Sequence, residues 1–182
     1  MSTVVLVIHL IIATALVGVI LIQRSEGGAL YAKRRMADDA VKVMEALGFT
    51  QFALVGHDRG ARVGYRLALD HPGRLSKLVA LDIVPTLEVW RGMDALRAMK
   101  MYHWLFLAQP APIPENLIAP APLDWLDHTL ASWTADKTLR AFDARAMAHY
   151  RASFSDPSRI HAACEDYRAG ASIDPDADYR DT

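Results

Sequence analysis

The stretch FALVGHDRGAR, residues 52–62, joins a short apolar run to the turn Gly56-His57-Asp58-Arg59-Gly60 and then to helix-forming residues. FALVG has the length and apolar character of a buried strand, and GARVGYRLALDHPG, residues 60–73, reads as a helix stopped by His71-Pro72-Gly73. Upstream, YAKRRMADDAVKVMEALGF, residues 31–49, places Met36, Ala40, Val43, Met44 and Leu47 at helical spacing, with Gly48 as the C-terminal stop. Downstream, LSKLVALDIV, residues 75–84, is a second β-rich apolar run, halted at Pro85. Helix, strand, helix and strand in alternation predict a parallel α/β arrangement.

Beyond Thr86 the strand signals cease. Residues 87–170 read as helical, with a proline-rich interruption, QPAPIPENLIAPAP, at 109–122 and a Trp/Leu helix around Trp125 and Trp133. A last helix is opened by Asp156-Pro157 and closed by Gly170. The acidic stretch from Asp174 onward reads as a frayed tail. The organisation expected is thus residues 1–28, a core over 29–86, a helical cap over 87–170 and a tail over 171–182.

The totals narrow the function classes. Among 182 residues, 52% are hydrophobic, which excludes a disordered chain, and the net charge of −1 offers no basic field for a nucleic-acid partner. A single cysteine, Cys164, allows no internal disulfide, in keeping with a cytoplasmic setting. Residues 4–22, VVLVIHLIIATALVGVILI, form an apolar run long enough to cross a bilayer as one transmembrane helix. Arg24, Lys33, Arg34 and Arg35 follow it, so the positive-inside rule would anchor the chain in a membrane and leave the remainder cytoplasmic.

The chemistry centres on Asp58. In the frame G-x-nucleophile-x-G, a residue between a strand and a helix is held on a tight turn with its side chain directed away from the sheet. A carboxylate in that place can displace a leaving group from carbon and form an ester. The same residue can also cap the helix that follows, an ordinary role for aspartate. The pattern by itself leaves both readings open.

From about residue 31 to 178 the chain resembles the haloacetate (fluoroacetate) dehalogenases of the α/β-hydrolase superfamily. The resemblance is carried by ALVGHDRGARV, LDHPGRLSKLVALDIVPT, YHWLFLAQPAPIPE and IHAACEDYRAGASID, all in the family's order. It implies a partial α/β-hydrolase core, made of a nucleophile-elbow strand-turn-helix and one further parallel strand, with a helical cap. Asp58 would be the nucleophile, Arg59 and Arg62 would bind the substrate carboxylate, and Asp82 would orient the catalytic histidine. His103, Trp104 and Tyr167 would bind the departing halide, a task for donors aimed at developing charge, and Trp133 would form a pocket wall. The implied substrate is a small haloacid, with no cofactor and no metal. His57, His71, His128, His149 and His161 gain no catalytic role from the resemblance, and no residue matches the family's histidine base, so the expected chemistry stops at the ester. The family's early strands are unmatched too, which predicts exposed sheet edges. An epoxide hydrolase would use the same aspartate with paired cap tyrosines. Residues 1–28 resemble the first transmembrane helix of the SecG subunit of the bacterial preprotein translocase, which implies the protein-export translocase as a partner.

Overall fold

The computed structural model describes residues 32–181, which fall into two compact units. The core unit comprises residues 32–94 and 169–181, and the helical unit comprises residues 95–168. The expected transmembrane segment lies outside the described residues, and no described helix is long and apolar enough to cross a membrane.

In the core unit, α1 (Lys33–Ala46) leads into β1 (Phe52–His57), α2 (Arg59–Asp70) and β2 (Leu75–Leu81). The strands pair in parallel with Leu54 opposite Leu78 and His57 opposite Leu81. Helix α2 is the crossover that parallel neighbours require, and it packs on both strands as well as on α1. The approach is close at Gly64, where a Cβ would meet the side chains of Leu78 and Leu54 at 3.0 and 3.1 Å. Met36, Ala40, Met44, Leu54, Val63 and Leu67 fill this interior. Among the described residues the opposite sheet face is uncovered, with Val55 51% and Val79 45% exposed.

Several boundaries differ from the sequence reading. Helix α1 buries Ala37 and Val41 with Met36, Ala40 and Met44, whereas Leu47, expected on the stripe, is 62% exposed. The buried face is therefore rotated toward the start of the helix, where Lys33 is also enclosed. Strand β2 stops at Leu81 rather than near Pro85, because Asp82 takes a positive φ that ends the extended chain. The proline-rich stretch at 109–122 contains a short helix, α6 (Ile113–Ile118), whose proline sits in the first turn, where a missing N–H costs nothing.

The acidic tail is the largest departure. Residues expected to fray form α10 (Ile173–Tyr179), with Asp174 and Asp178 buried. Each carboxylate meets an enclosed cation. Lys33 Nζ lies 3.2 Å from Asp174 Oδ2, and the Lys33 backbone N–H donates to Asp174 Oδ1 at 2.8 Å. Arg66 Nη1 donates to Asp178 Oδ1 at 3.2 Å and to Asp181 at 2.5 Å, while Nη2 bonds Asp70. Burial opposes the charge on Arg66, but Asp70 and Asp181 outweigh it and raise its pKa further. Both residues that α10 buries are acidic, so ion pairs anchor it where most helices bury apolar side chains. Helix α3 (Thr86–Arg91) packs on α10, and Trp90 Nε1 donates to the Gly170 carbonyl at 2.7 Å.

The helical unit holds α4 (Ala95–Lys100), α5 (Tyr102–Leu107), α6, α7 (Pro122–Trp133), α8 (Ala144–Phe154) and most of α9 (Pro157–Gly170). Its centre is Leu107, Ile118, Ile160 and Cys164, flanked by Phe106 and Tyr167 and by the stacked rings of Trp125 and Phe154, 5.5 Å apart. A polar cluster binds α6 to α9. Arg168 forks onto both oxygens of Glu115 at 2.9 Å and also reaches Glu165 at 2.6 Å, and His161 Nδ1 lies 2.9 Å from Glu115 Oε1.

Candidate active site

Three non-glycine residues in the described chain have positive φ, and two of them end the two strands: Asp58 at 46° and Asp82 at 55°. The cause at Asp58 is the abrupt passage from β1 into α2. A Cβ at Gly56 would stand 2.5 Å from the Gly60 carbonyl oxygen and 2.6 Å from the Ala61 nitrogen, so only glycine fits where the helix start presses on the strand end. The turn leaves Asp58 exposed.

The chain supplies its own control for the capping alternative. Asp143, at the head of α8, has φ −62° and ψ 137°, and its carboxylate accepts from the Arg145 and Ala146 N–H groups. Asp58 precedes α2 with φ 46° and ψ −113°, and its side chain makes no capping bond. Asp58 is not a helix cap; its backbone holds a costly conformation without that return. Asp82 stands beside it, since the Asp58 N–H donates to the Leu81 carbonyl at 3.3 Å. Both carboxylates thus occupy the C-terminal edge of a parallel sheet, where α/β folds bind ligands.

Arg59 opens α2 and is half-buried, and Arg62 lies one turn further on and is buried. Arg62 Nη1 donates to the Val84 carbonyl at 2.8 Å and to Thr86 Oγ1 at 3.3 Å. This guanidinium is therefore tied to the loop that follows Asp82. Sequence reasoning missed the residues behind it, Tyr65, Thr86 and Asp178. The available signal was Tyr65 itself, three residues after Arg62 and so on the same face of a helix.

Within the helical unit the expected halide residues do converge. His103 is buried, with its ring centre 5.5 Å from that of Trp133 and 5.8 Å from that of Tyr167, and the Trp104 and Tyr167 rings are 6.1 Å apart. Residues widely separated in sequence on α5, α7 and α9 form one aromatic cluster. Tyr102 also meets His103 edge-on at 5.8 Å. Cys164 is no rival nucleophile, because burial, reinforced by the Glu115 charge, pushes its thiol up to about 12.

Two cavities lie elsewhere. One of about 540 Å³ in the core unit is bordered by Arg34, Arg35, Lys42 and Arg180, and one of about 510 Å³ in the helical unit by Met99, Tyr102, Phe106 and Trp125. Neither is lined by Asp58. No grouping of three or more His, Cys, Asp and Glu suited to a metal occurs among the described residues.

Residues 23–179 match the family model described as the alpha/beta hydrolase fold. The chain belongs to the α/β-hydrolase family. It is 44% identical over 153 residues to a fluoroacetate dehalogenase from Burkholderia sp, a match covering 84% of this chain and 50% of that protein. A provisionally assigned α/β hydrolase from Nostoc sp PCC 7120 superposes with a TM-score of 0.83 at 49% identity, over 87% of this chain and 55% of its own. A provisionally assigned epoxide hydrolase from Pseudomonas aeruginosa gives 0.82 at 43% identity, over 88% and 52%. The chain spans about half the length of these α/β hydrolases. The membrane-anchor and translocase readings gain no support from the comparisons, and the segment that carries them is outside the described residues.

Proposed function

We propose that this chain carries the nucleophile-bearing half of a haloacetate dehalogenase-like hydrolase. The observation that carries the reading is Asp58, an exposed carboxylate on a strained strand-to-helix turn that performs no capping. One carboxylate oxygen attacks the halogen-bearing carbon of a small 2-haloacid. The new C–O bond forms as the carbon–halogen bond breaks, the electron pair leaves with halide, and Asp58 becomes an ester. Arg59 and Arg62 hold the substrate carboxylate, a role suited to planar bidentate cations. His103, Trp104 and Tyr167 receive the halide, Trp133 walls the pocket, and Asp82 takes the place of the acid that orients a histidine base; no histidine of this chain fills that base's role, so the ester persists. The likeness to the Burkholderia fluoroacetate dehalogenase supports the substrate class.

Incubating the purified chain with fluoroacetate or chloroacetate tests this directly, with released halide and intact protein mass as readouts. One equivalent of halide, matched by a carboxymethyl group mapped to the Asp58 peptide, is the expected result. Alkylation elsewhere, or none, would overturn the assignment.

A second reading uses the same nucleophile on an epoxide. It is favoured by the Pseudomonas relative and by the presence of two tyrosines, Tyr102 and Tyr167, each edge-on to His103 at 5.8 Å. Offering styrene oxide in the same mass assay separates the two, because only an epoxide opener leaves a hydroxyalkyl ester on Asp58.

A further inference from the structure

Arg62 belongs to a hydrogen-bonded chain that ends on a carboxylate. Its Nη1 donates to Thr86 Oγ1 at 3.3 Å, Thr86 Oγ1 lies 3.1 Å from the Tyr65 hydroxyl, and that hydroxyl donates to Asp178 Oδ2 at 2.7 Å. The ends fix the direction. A guanidinium can only donate and an ionised carboxylate can only accept. Each hydroxyl between them has one proton, so Thr86 must accept from Arg62 and donate to Tyr65, and Tyr65 must donate to Asp178. Neighbouring bonds stiffen both ends. The Thr86 N–H donates to the Tyr65 oxygen at 3.2 Å, and the Leu87 N–H donates to Asp178 Oδ2 at 3.3 Å. Arg66 holds the other oxygen of Asp178.

We infer that Thr86, Tyr65 and Asp178 are positioning residues for Arg62, forming a one-way relay that fixes the guanidinium for carboxylate recognition and so sets affinity for the haloacid. The inference rests on the proposed role of Arg62 in holding the substrate carboxylate. Three separate elements contribute, since Tyr65 comes from α2, Thr86 from the start of α3 and Asp178 from α10. Burial, aided by Asp178, pushes the Tyr65 phenol up to about 12, so the proton that defines the direction stays in place throughout the neutral range. The segment after residue 168 thereby reaches Arg62 through Tyr65 and Thr86, which gives the folded tail a part in the site.

The test uses the full chain and two readouts. Fluoroacetate binding is followed by fluorine NMR, and rotation of the Arg62 guanidinium by its side-chain nitrogen resonances in ligand-free protein. Tyr65→Phe removes the acceptor for Thr86 while keeping the ring. It should weaken fluoroacetate binding roughly tenfold, as loss of a hydrogen bond serving a charged group does, and should let the Arg62 Nη protons average. Thr86→Val should do the same, and Thr86→Ser should restore both signals. A Tyr65→Phe protein that stays folded, binds fluoroacetate as the parent does and keeps a rigid Arg62 would overturn the relay. A parent protein whose Arg62 is rigid, and is freed by Tyr65→Phe, but which binds no fluoroacetate would instead overturn the carboxylate role on which the relay's purpose rests.

Discussion

Asp58 and Asp82 leave adjacent parallel strands one residue beyond the paired His57 and Leu81, and both leave with positive φ. Two acidic side chains are thus delivered side by side to one sheet edge by the same local device, a strand ended abruptly by a residue in left-handed backbone. Such conformations cost of order 1 to 3 kcal/mol each and persist where surrounding structure enforces them. Here the enforcement is visible, in the paired strands below and the helix start pressed against Gly56.

Replacing Asp58 by glycine therefore separates stability from chemistry. Glycine tolerates the observed φ of 46° and ψ of −113°, so relief of strain should outweigh its larger unfolded-state entropy. Asp58→Gly is expected to gain about 1 kcal/mol in urea unfolding and to form no ester with chloroacetate. Asp58→Asn should also form no ester, without the gain. A glycine variant less stable than the parent would show that the Asp58 backbone is not strained.

Two glycines of the same turn should respond in opposite directions. A methyl at Gly56 would collide with backbone atoms of Gly60 and Ala61, which cannot swing aside as a side chain can, so Gly56→Ala should cost about 3 kcal/mol or prevent folding. Gly60 lies inside α2 with nothing within 4 Å of its notional Cβ. Gly60→Ala should leave stability equal or raise it by up to about 1 kcal/mol. Circular dichroism with urea titration of both variants checks the pair, and equal effects would contradict the close approach at Gly56.

The sequence made the core legible where one signal decided the structure. The apolar run ending in Gly56 and the helix opened by Pro157 and closed by Gly170 are found where periodicity and end signals put them. It misled where pairing between distant residues decided. Asp174 and Asp178 look like a solvated tail unless Lys33 and Arg66 are known to be buried opposite them, about 141 and 112 residues away. Only the family resemblance singled out Arg62, and its bonds to Val84 and Thr86, 22 and 24 residues away, had no signal in the sequence. The convergence of His103, Trp133 and Tyr167 follows from helix packing, and only the family resemblance could anticipate it.

The pairing of Lys33 with Asp174 makes its own prediction. The two side chains are 1% and 2% exposed, so deleting one partner strands a charge where water cannot compensate it. Lys33→Met should destabilise the chain by about 3 to 5 kcal/mol. Adding Asp174→Asn removes the stranded charge and keeps an oxygen for the Lys33 N–H, so the double variant should recover most of the loss. A double variant no more stable than Lys33→Met, measured by urea unfolding, would mean that α10 is held by other contacts.

Glu115 should give the helical unit an acid-sensitive stability. Partial burial favours its neutral form, but the bonds from Arg168, its own backbone and His161 outweigh this and hold the carboxyl down at about 2, against 4.5 for an unperturbed glutamate. A folded pKa below the unfolded one means the unfolded chain binds the proton first. The contribution is then fully present above about 4.5 and is lost as pH falls from 4.5 toward 2. Trp104, Trp125 and Trp133 all lie in this unit, so tryptophan emission is dominated by its unfolding. Urea midpoints read by that emission should fall between pH 5 and pH 3 in the parent. Glu115→Gln should start lower at neutral pH and show a shallower fall, because the titrating group is gone while Arg168 keeps Glu165. Parallel pH profiles for the two proteins would place the acid sensitivity elsewhere.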